Sequence, residues 1–218
     1  MPYRRTANVA RRLAARHGAI MTAAREIAAE GGMAALQIAP VAQRAGIAAG
    51  TVYRYFPGKT DLVAAVLDEI AEREIGALRR AAAVAPGPLS ALAAAIMTFA
   101  ARALRHRRLA YAVIAEPVDA ALDAARRSYR SALAAEFASL IAAAIKGNHL
   151  PEQDAILSAA ALLGLLIEGS IGPLAPALPN VDGAARAAVQ SLTLIGLRAL
   201  GVADARARGL VISGVSDQ

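Results

Sequence analysis

Apolar positions recur along this chain at intervals of three and four residues, the spacing of one face of a helix. From about Val9 to Glu30 the recurring positions are Leu13, Ile20, Ala24 and Ile27, with Arg and Glu between them. Gly31-Gly32 stops that run, and Met33, Leu36 and Ile38 lead into a second helix. Pro40 suits the first turn of that helix, where a missing N–H costs little, and the helix is expected to run to Ala45. A short third element ends in Tyr53-Arg54-Tyr55-Phe56. Thr60-Asp61 can cap a long amphipathic helix from about Asp61 to Val84, with Leu62, Val66 and Ile70 on one side. Pro86-Gly87-Pro88 breaks the pattern. Five more helical stretches follow: Leu89–His106, Arg107–Ala115, Val118–Lys146, Glu152–Ile171 and, after a loop from Pro173 to Pro179, Gly183–Leu200. Met1 to Asn8 reads as a flexible arm and the tail from Ala203 as frayed. No period-two alternation and no internal repeat interrupts this pattern, so the fold class is all-α.

The stretch from Val41 to Phe56 is the most specific. Ala42, Gly46 and Val52 have the spacing of a helix-turn-helix. The small residue lets two helices approach, the glycine takes the turn without steric cost, and the apolar residue packs back on the first helix. Such a unit places its second helix in the major groove of DNA.

Composition and charge sharpen this. Hydrophobic residues are 57% of the 218, largely Ala and Leu, which favours helix and supplies a sizeable core. Cysteine is absent, which removes disulfides and thiolate metal sites and fits a reducing cytoplasm. The basic N-terminus is followed by no apolar signal core. The most apolar run, Ala159 to Ile167, falls short of the roughly 20 residues a membrane helix needs, so no membrane is expected as a partner. The formal charge of +7 is unevenly placed: residues 1–60 hold nine Lys/Arg and two acids, and the remainder holds fifteen of each sign. The excess therefore sits on the segment with the helix-turn-helix, as a polyanion partner requires. A merely solubilising basic terminus is the alternative.

Read together, Ala42-Gln43-Arg44-Ala45-Gly46-Ile47, Gly50-Thr51-Val52-Tyr53-Arg54-Tyr55-Phe56, Lys59 and Leu62 resemble the TetR family of bacterial transcriptional regulators. The resemblance covers roughly the first 65 residues. It implies an N-terminal three-helix DNA-binding domain (residues 1–60, with a connecting helix 61–84) and a helical ligand-binding and dimerisation domain (85–218). It further implies a homodimer on a palindromic double-stranded DNA operator, most often a repressor, released by a small-molecule effector. The dimer would form through helices 152–171 and 183–200, and the effector pocket would lie among the helices from Leu89 to Lys146. Met97, Phe99, Tyr111 and Tyr129 can line such a pocket or simply pack the core, and no effector residue is assigned. No enzyme activity and no cofactor are implied, and the expected location is cytoplasmic.

The candidate DNA-contact residues are Gln37, Arg44, Ala48, Ala49, Gly50, Thr51, Tyr53, Arg54, Tyr55 and Lys59. Tyr53 and Tyr55 can donate hydroxyls to phosphate or pack as core aromatics, and Lys59 can reach a phosphate or remain a solvated lysine. Thr51 can reach the backbone, Gly50 permits close approach, and Ala49 offers a methyl group to a thymine methyl. Arg54 can read a guanine or bind a phosphate, and Arg44 is better suited to a backbone contact or a surface charge. Two positions depart from the family pattern. Ala48 stands where Ser or Thr is frequent after the turn, and Gln37 where Thr commonly starts the second helix. Each lost cap costs on the order of 1 kcal/mol. So few polar groups predict that shape, apolar contact and phosphate positioning dominate recognition.

Other function classes find less support. His17, His106 and His149 stand far apart, without paired-ligand spacing. Glu116-Pro117-Val118-Asp119 reads as a loop with exposed acids, having no nucleophile or base beside it. A small-molecule enzyme with an accidental helix-turn-helix is the rival reading, and a DNA binder without an effector is the third.

Overall fold

The computed structural model describes residues 3–116 and 120–216, and all regular structure among them is helical. The order is α1 (Tyr3–Gly31), a 3-10 turn (Met33–Ala35), α2 (Ile38–Arg44), α3 (Ala49–Tyr53), α4 (Lys59–Ala83) and α5 (Pro88–Arg105). Then come α6 (Arg107–Ile114), α7 (Ala120–Lys146), α8 (Ala155–Ser170), α9 (Ala184–Ala199) and α10 (Asp204–Ser216). Pro117, Val118 and Asp119, part of the expected acidic loop and helix start, lie outside the described residues.

Both ends depart from expectation. The arm is helical from Tyr3, because Ala and Arg favour helix and no glycine interrupts before Gly18. The tail folds as α10, with Ala207 and Val211 buried one helical turn apart against α9 and α5. Asp204 in its first turn pairs with Arg208 and Arg198, which explains why a polar tail holds its start in place.

Two helix starts also moved. α4 begins at Lys59 behind Gly58, so Thr60 and Asp61 occupy its first turn and do not cap it. Asp61 there still opposes the positive helix end. α8 begins at Ala155 because the Asp154 carboxylate accepts from the N–H groups of Ile156 at 2.9 Å and Leu157 at 3.1 Å.

The core has α5 at its centre, packed by α4, α7, α8 and α9. Leu92, Ile96 and Ala100 of α5 are fully buried, as are Leu133, Phe137 and Ile141 of α7. Phe99 meets Phe137 edge-on with ring centroids 6.3 Å apart. The N-terminal helices close around Ile20, Ala24, Leu36, Val41, Val52 and Leu62, and that cluster is continuous with the rest of the core. Arg25 of α1 also pairs with Glu69 of α4 at 2.7 Å.

Candidate nucleic-acid interface

The α2–α3 turn is set by backbone chemistry at Gly46. Its φ of +67° is a left-handed conformation that suits glycine. The Ile47 N–H reaches Ala42 O at 3.0 Å and the Gly46 N–H reaches Gln43 O at 3.2 Å, the paired bonds of a Schellman motif. Val52, 0% exposed, and Phe56 anchor the five-residue α3 from below. The outer face then follows from the helical repeat. Tyr53 is 53% exposed, Ala48, Gly50 and Arg54 are exposed, and Ala49 and Thr51 are half-buried beside them.

Neither family departure is compensated by a side-chain cap. Ala48 and Gln37 occupy the N-cap positions of α3 and α2 in extended backbone geometry without a capping bond. The Gln37 amide instead donates to Ala34 O at 3.2 Å. Lys59 starts α4, half-buried, and neither it nor Arg54 has an ion-pair partner among the described residues.

Besides Gln37, two more of the ten candidates are held by protein groups. Arg44 makes a two-pronged contact with Glu30 at 2.7 and 2.8 Å and lies 3.9 Å from Glu26. The Arg44 guanidinium holds the Glu30 carboxyl below its ordinary range. Arg44 thus clamps α2 onto α1. The Tyr55 hydroxyl donates to Leu13 O at 3.3 Å, and its ring tilts over His17, which also meets Phe56. His106 ends α5, and His149 contacts Arg206 at 3.2 Å through Nδ1.

A contact absent from the sequence reading ties this unit to the helices behind it. Glu116, expected as an exposed loop acid, accepts from the Met33 N–H at 2.9 Å. Gly32, with φ +78° and ψ −176°, leaves room for that carboxylate: a Cβ there would lie 2.8 Å from Glu116 Oε1. Arg126, buried, donates to Val113 O at 3.2 Å and Ala112 O at 3.1 Å in the last turn of α6. Burial lowers its pKa, and Glu116 partly offsets that. The end of α6 is therefore tied both to α7 and to the turn before α2.

On its other side α6 walls a cavity of about 50 Å³ between α4, α5 and α7. Leu109, Val113, Ile114, Ile70 and Phe99 supply its apolar lining. Its polar groups are His106, Tyr129, whose phenol pKa is pushed up by burial, and the Arg102–Glu74 pair at 2.5 and 2.6 Å. Of the four side chains considered for a pocket, Phe99 and Tyr129 line this cavity, Met97 lines a separate cleft, and Tyr111 is half-buried.

Residues 20–66 match the family described as bacterial regulatory proteins, tetR family. A stretch of 68 residues is 46% identical to the HTH-type transcriptional repressor KstR of Mycolicibacterium smegmatis, covering 31% of this chain and 33% of that protein. KstR of Rhodococcus jostii is 44% identical over 54 residues, 25% of this chain and 26% of that protein. The chain thus aligns with a third or less of these curated relatives. Solved structures extend the likeness in fold. FadR from Bacillus halodurans has a TM-score of 0.73 at 20% identity, covering 86% of this chain and 97% of that one. RolR bound to resorcinol has a TM-score of 0.63 at 22% identity, covering 93% and 95%. FadR from Bacillus subtilis, solved with stearoyl-CoA, has a TM-score of 0.66 at 19% identity, covering 91% and 98%. At these identities the structural likeness speaks for fold alone.

Proposed function

Starting from a chain that belongs, through its N-terminal unit, to the tetR family of bacterial regulatory proteins, we propose that it is a dimeric, effector-responsive repressor of transcription. The observation that carries this reading is the presentation of α3. Its inner face is locked by Val52 and Phe56, while Tyr53, Arg54 and Gly50 stand outward on the segment that holds the chain's excess positive charge. Tyr53, Thr51, Lys59 and Gln37 position phosphates, Ala48, Ala49 and Gly50 give close approach, and Arg54 is the long donor for a base or phosphate. Arg44 and Tyr55 act through protein contacts, keeping α2 and α3 aimed relative to α1.

We divide the chain into the DNA-binding unit, residues 1–60, the connecting helix and a helical unit from residue 85. The dimer uses α8 and α9, within the segments 152–171 and 183–200. Ile156 is 77% exposed, Leu157 68% and Ile195 49%, with Ala160, Ala161, Gly164 and Ala187 between them. Such an apolar, small-residue surface suits a four-helix interface between two copies. The effector binds among α4–α7. Because α6 borders the cavity and is tied to the turn before α2, an effector that fits a displaced α6 shifts the population toward a DNA-incompetent arrangement.

Selection of bound fragments from random DNA tests the reading. The expected product is a palindrome with half-sites about one helical turn or more apart. Recovery without sequence preference, or full affinity retained by Tyr53→Ala, removes the specific-regulator reading.

A further inference from the structure

A second recess lies between α5 and α9, a cleft of about 690 Å³ that no part of the DNA-binding reading uses. Its floor is apolar, made by Met97, Leu104 and Val189, and its charged lining is all basic: Arg102, Arg105 and Arg186, with His106 beside them. No carboxylate lines it among the described residues. Arg102 is neutralised by Glu74, whereas Arg105 and Arg186 have no ion-pair partner among the described residues.

Arg105 has an ordinary explanation, since cations in the last turn of α5 oppose its negative end. Arg186 has none. It stands in the first turn of α9, at the positive end, where a cation is unfavourable. That end has no acidic residue in its first turn, and Gly183 provides no side-chain cap. The two helices run antiparallel, with Gly196 near Ile96 and Arg186 across from Arg105 at the other end. Two unpaired guanidinium groups and an uncapped helix start thus meet over an apolar floor.

We infer that this cleft binds the anionic head of an amphipathic small molecule, a carboxylate or phosphate carried on an apolar body. The head answers Arg105 and Arg186, which suit such planar or tetrahedral anions through forked donors. The body lies along Ala101 and Ala185, above the buried Met97, Leu104 and Val189. The cleft is of ordinary small-molecule size. It also shares Arg102 and His106 with the inner cavity, so these two side chains form the wall between them. A ligand seated in the cleft therefore presses on the Arg102–Glu74 pair and the start of α6, which gives it a second, indirect hold on the wall of the effector cavity. The site stays open in the dimer proposed above. At about 100° per residue, Arg186, Val189 and Gln190 lie on the α5 side of α9, opposite Ile195.

Any influence of the cleft on DNA binding rests on the regulator reading; the binding itself does not. Calorimetric titration of the full chain with decanoate, decyl phosphate and decanol tests it. One or both anions should bind at least ten-fold more tightly than decanol, and the favoured anion identifies the head group. Arg105→Gln with Arg186→Gln should abolish the preference while leaving helicity and melting temperature unchanged, with decanol unaffected. Equal binding of decanol, no binding of either anion, or an undiminished preference in the double variant overturns the assignment. Operator selection and anisotropy with the selected DNA are read separately. A selective anion site without an operator refutes the regulator reading, whereas an operator without a selective anion site refutes this inference.

Discussion

Replacing Gly32 by Ala tests the tie between the two halves of the molecule. The φ of +78° and ψ of −176° place Gly32 in a region nearly exclusive to glycine, and another residue there costs roughly 1–3 kcal/mol. The added Cβ would lie 2.8 and 2.9 Å from the two Glu116 carboxylate oxygens, so the carboxylate must leave. Its departure loses the bond to the Met33 N–H, a bond to a charged acceptor worth about 1.5–3 kcal/mol. Gly32→Ala should therefore destabilise by about 2.5–6 kcal/mol, and Glu116→Ala by about 1.5–3. The double variant should cost no more than Gly32→Ala alone, because the same bond is lost once. The predicted shortfall from additivity is about 1.5–3 kcal/mol. Urea unfolding followed by helical circular dichroism at one fixed protomer concentration measures all four proteins. Hydrogen exchange at the Met33 amide gives a local reading, with protection lost in each variant. Additivity within about 0.5 kcal/mol would refute the reasoning, since it would mean the two positions do not touch.

Four further outcomes follow from the geometry. Ala48→Ser places a hydroxyl at an extended N-cap and should stabilise the protein by about 0.5–1 kcal/mol in the same urea assay; a loss would show that α3 does not accept the cap. Tyr53→Ala and Arg54→Ala should each weaken operator binding about ten-fold by anisotropy, roughly 1.4 kcal/mol, with unfolding unchanged because both side chains are exposed. The Glu30 carboxyl, held below its ordinary 4.5, supports the α1–α2 contact above that pH and loses this support as pH falls through the lowered value. Carboxyl titration by NMR should show the depression in the wild type and its disappearance in Arg44→Gln. Ile195→Glu should convert the proposed dimer to monomer by light scattering, with α9 still helical.

Much of this protein is determined by the order of its residues. Helix after helix is readable because Ala and Leu at three- and four-residue spacing dictate both the helical backbone and its buried face. The turn at Gly46 is equally legible, since its bonds join residues at most five apart and depend on one glycine. The outward stance of Tyr53 and Arg54 follows from that turn and from Val52. What the tertiary structure decided lies in long-range pairing. Arg44 reads as a backbone contact or a surface charge until folding brings Glu30 beside it, and Tyr55 as a phosphate donor or a core aromatic until α1 presents Leu13 O. Glu116 reads as a loop acid, and its partner Met33 lies 83 residues away. The tail from Ala203 reads as frayed, and the surface offered by α5 and α9 buries Ala207 and Val211. Local hydrogen bonding and periodicity are written within a few residues, whereas the partner of a charge or of a weak apolar face depends on which distant element packs there.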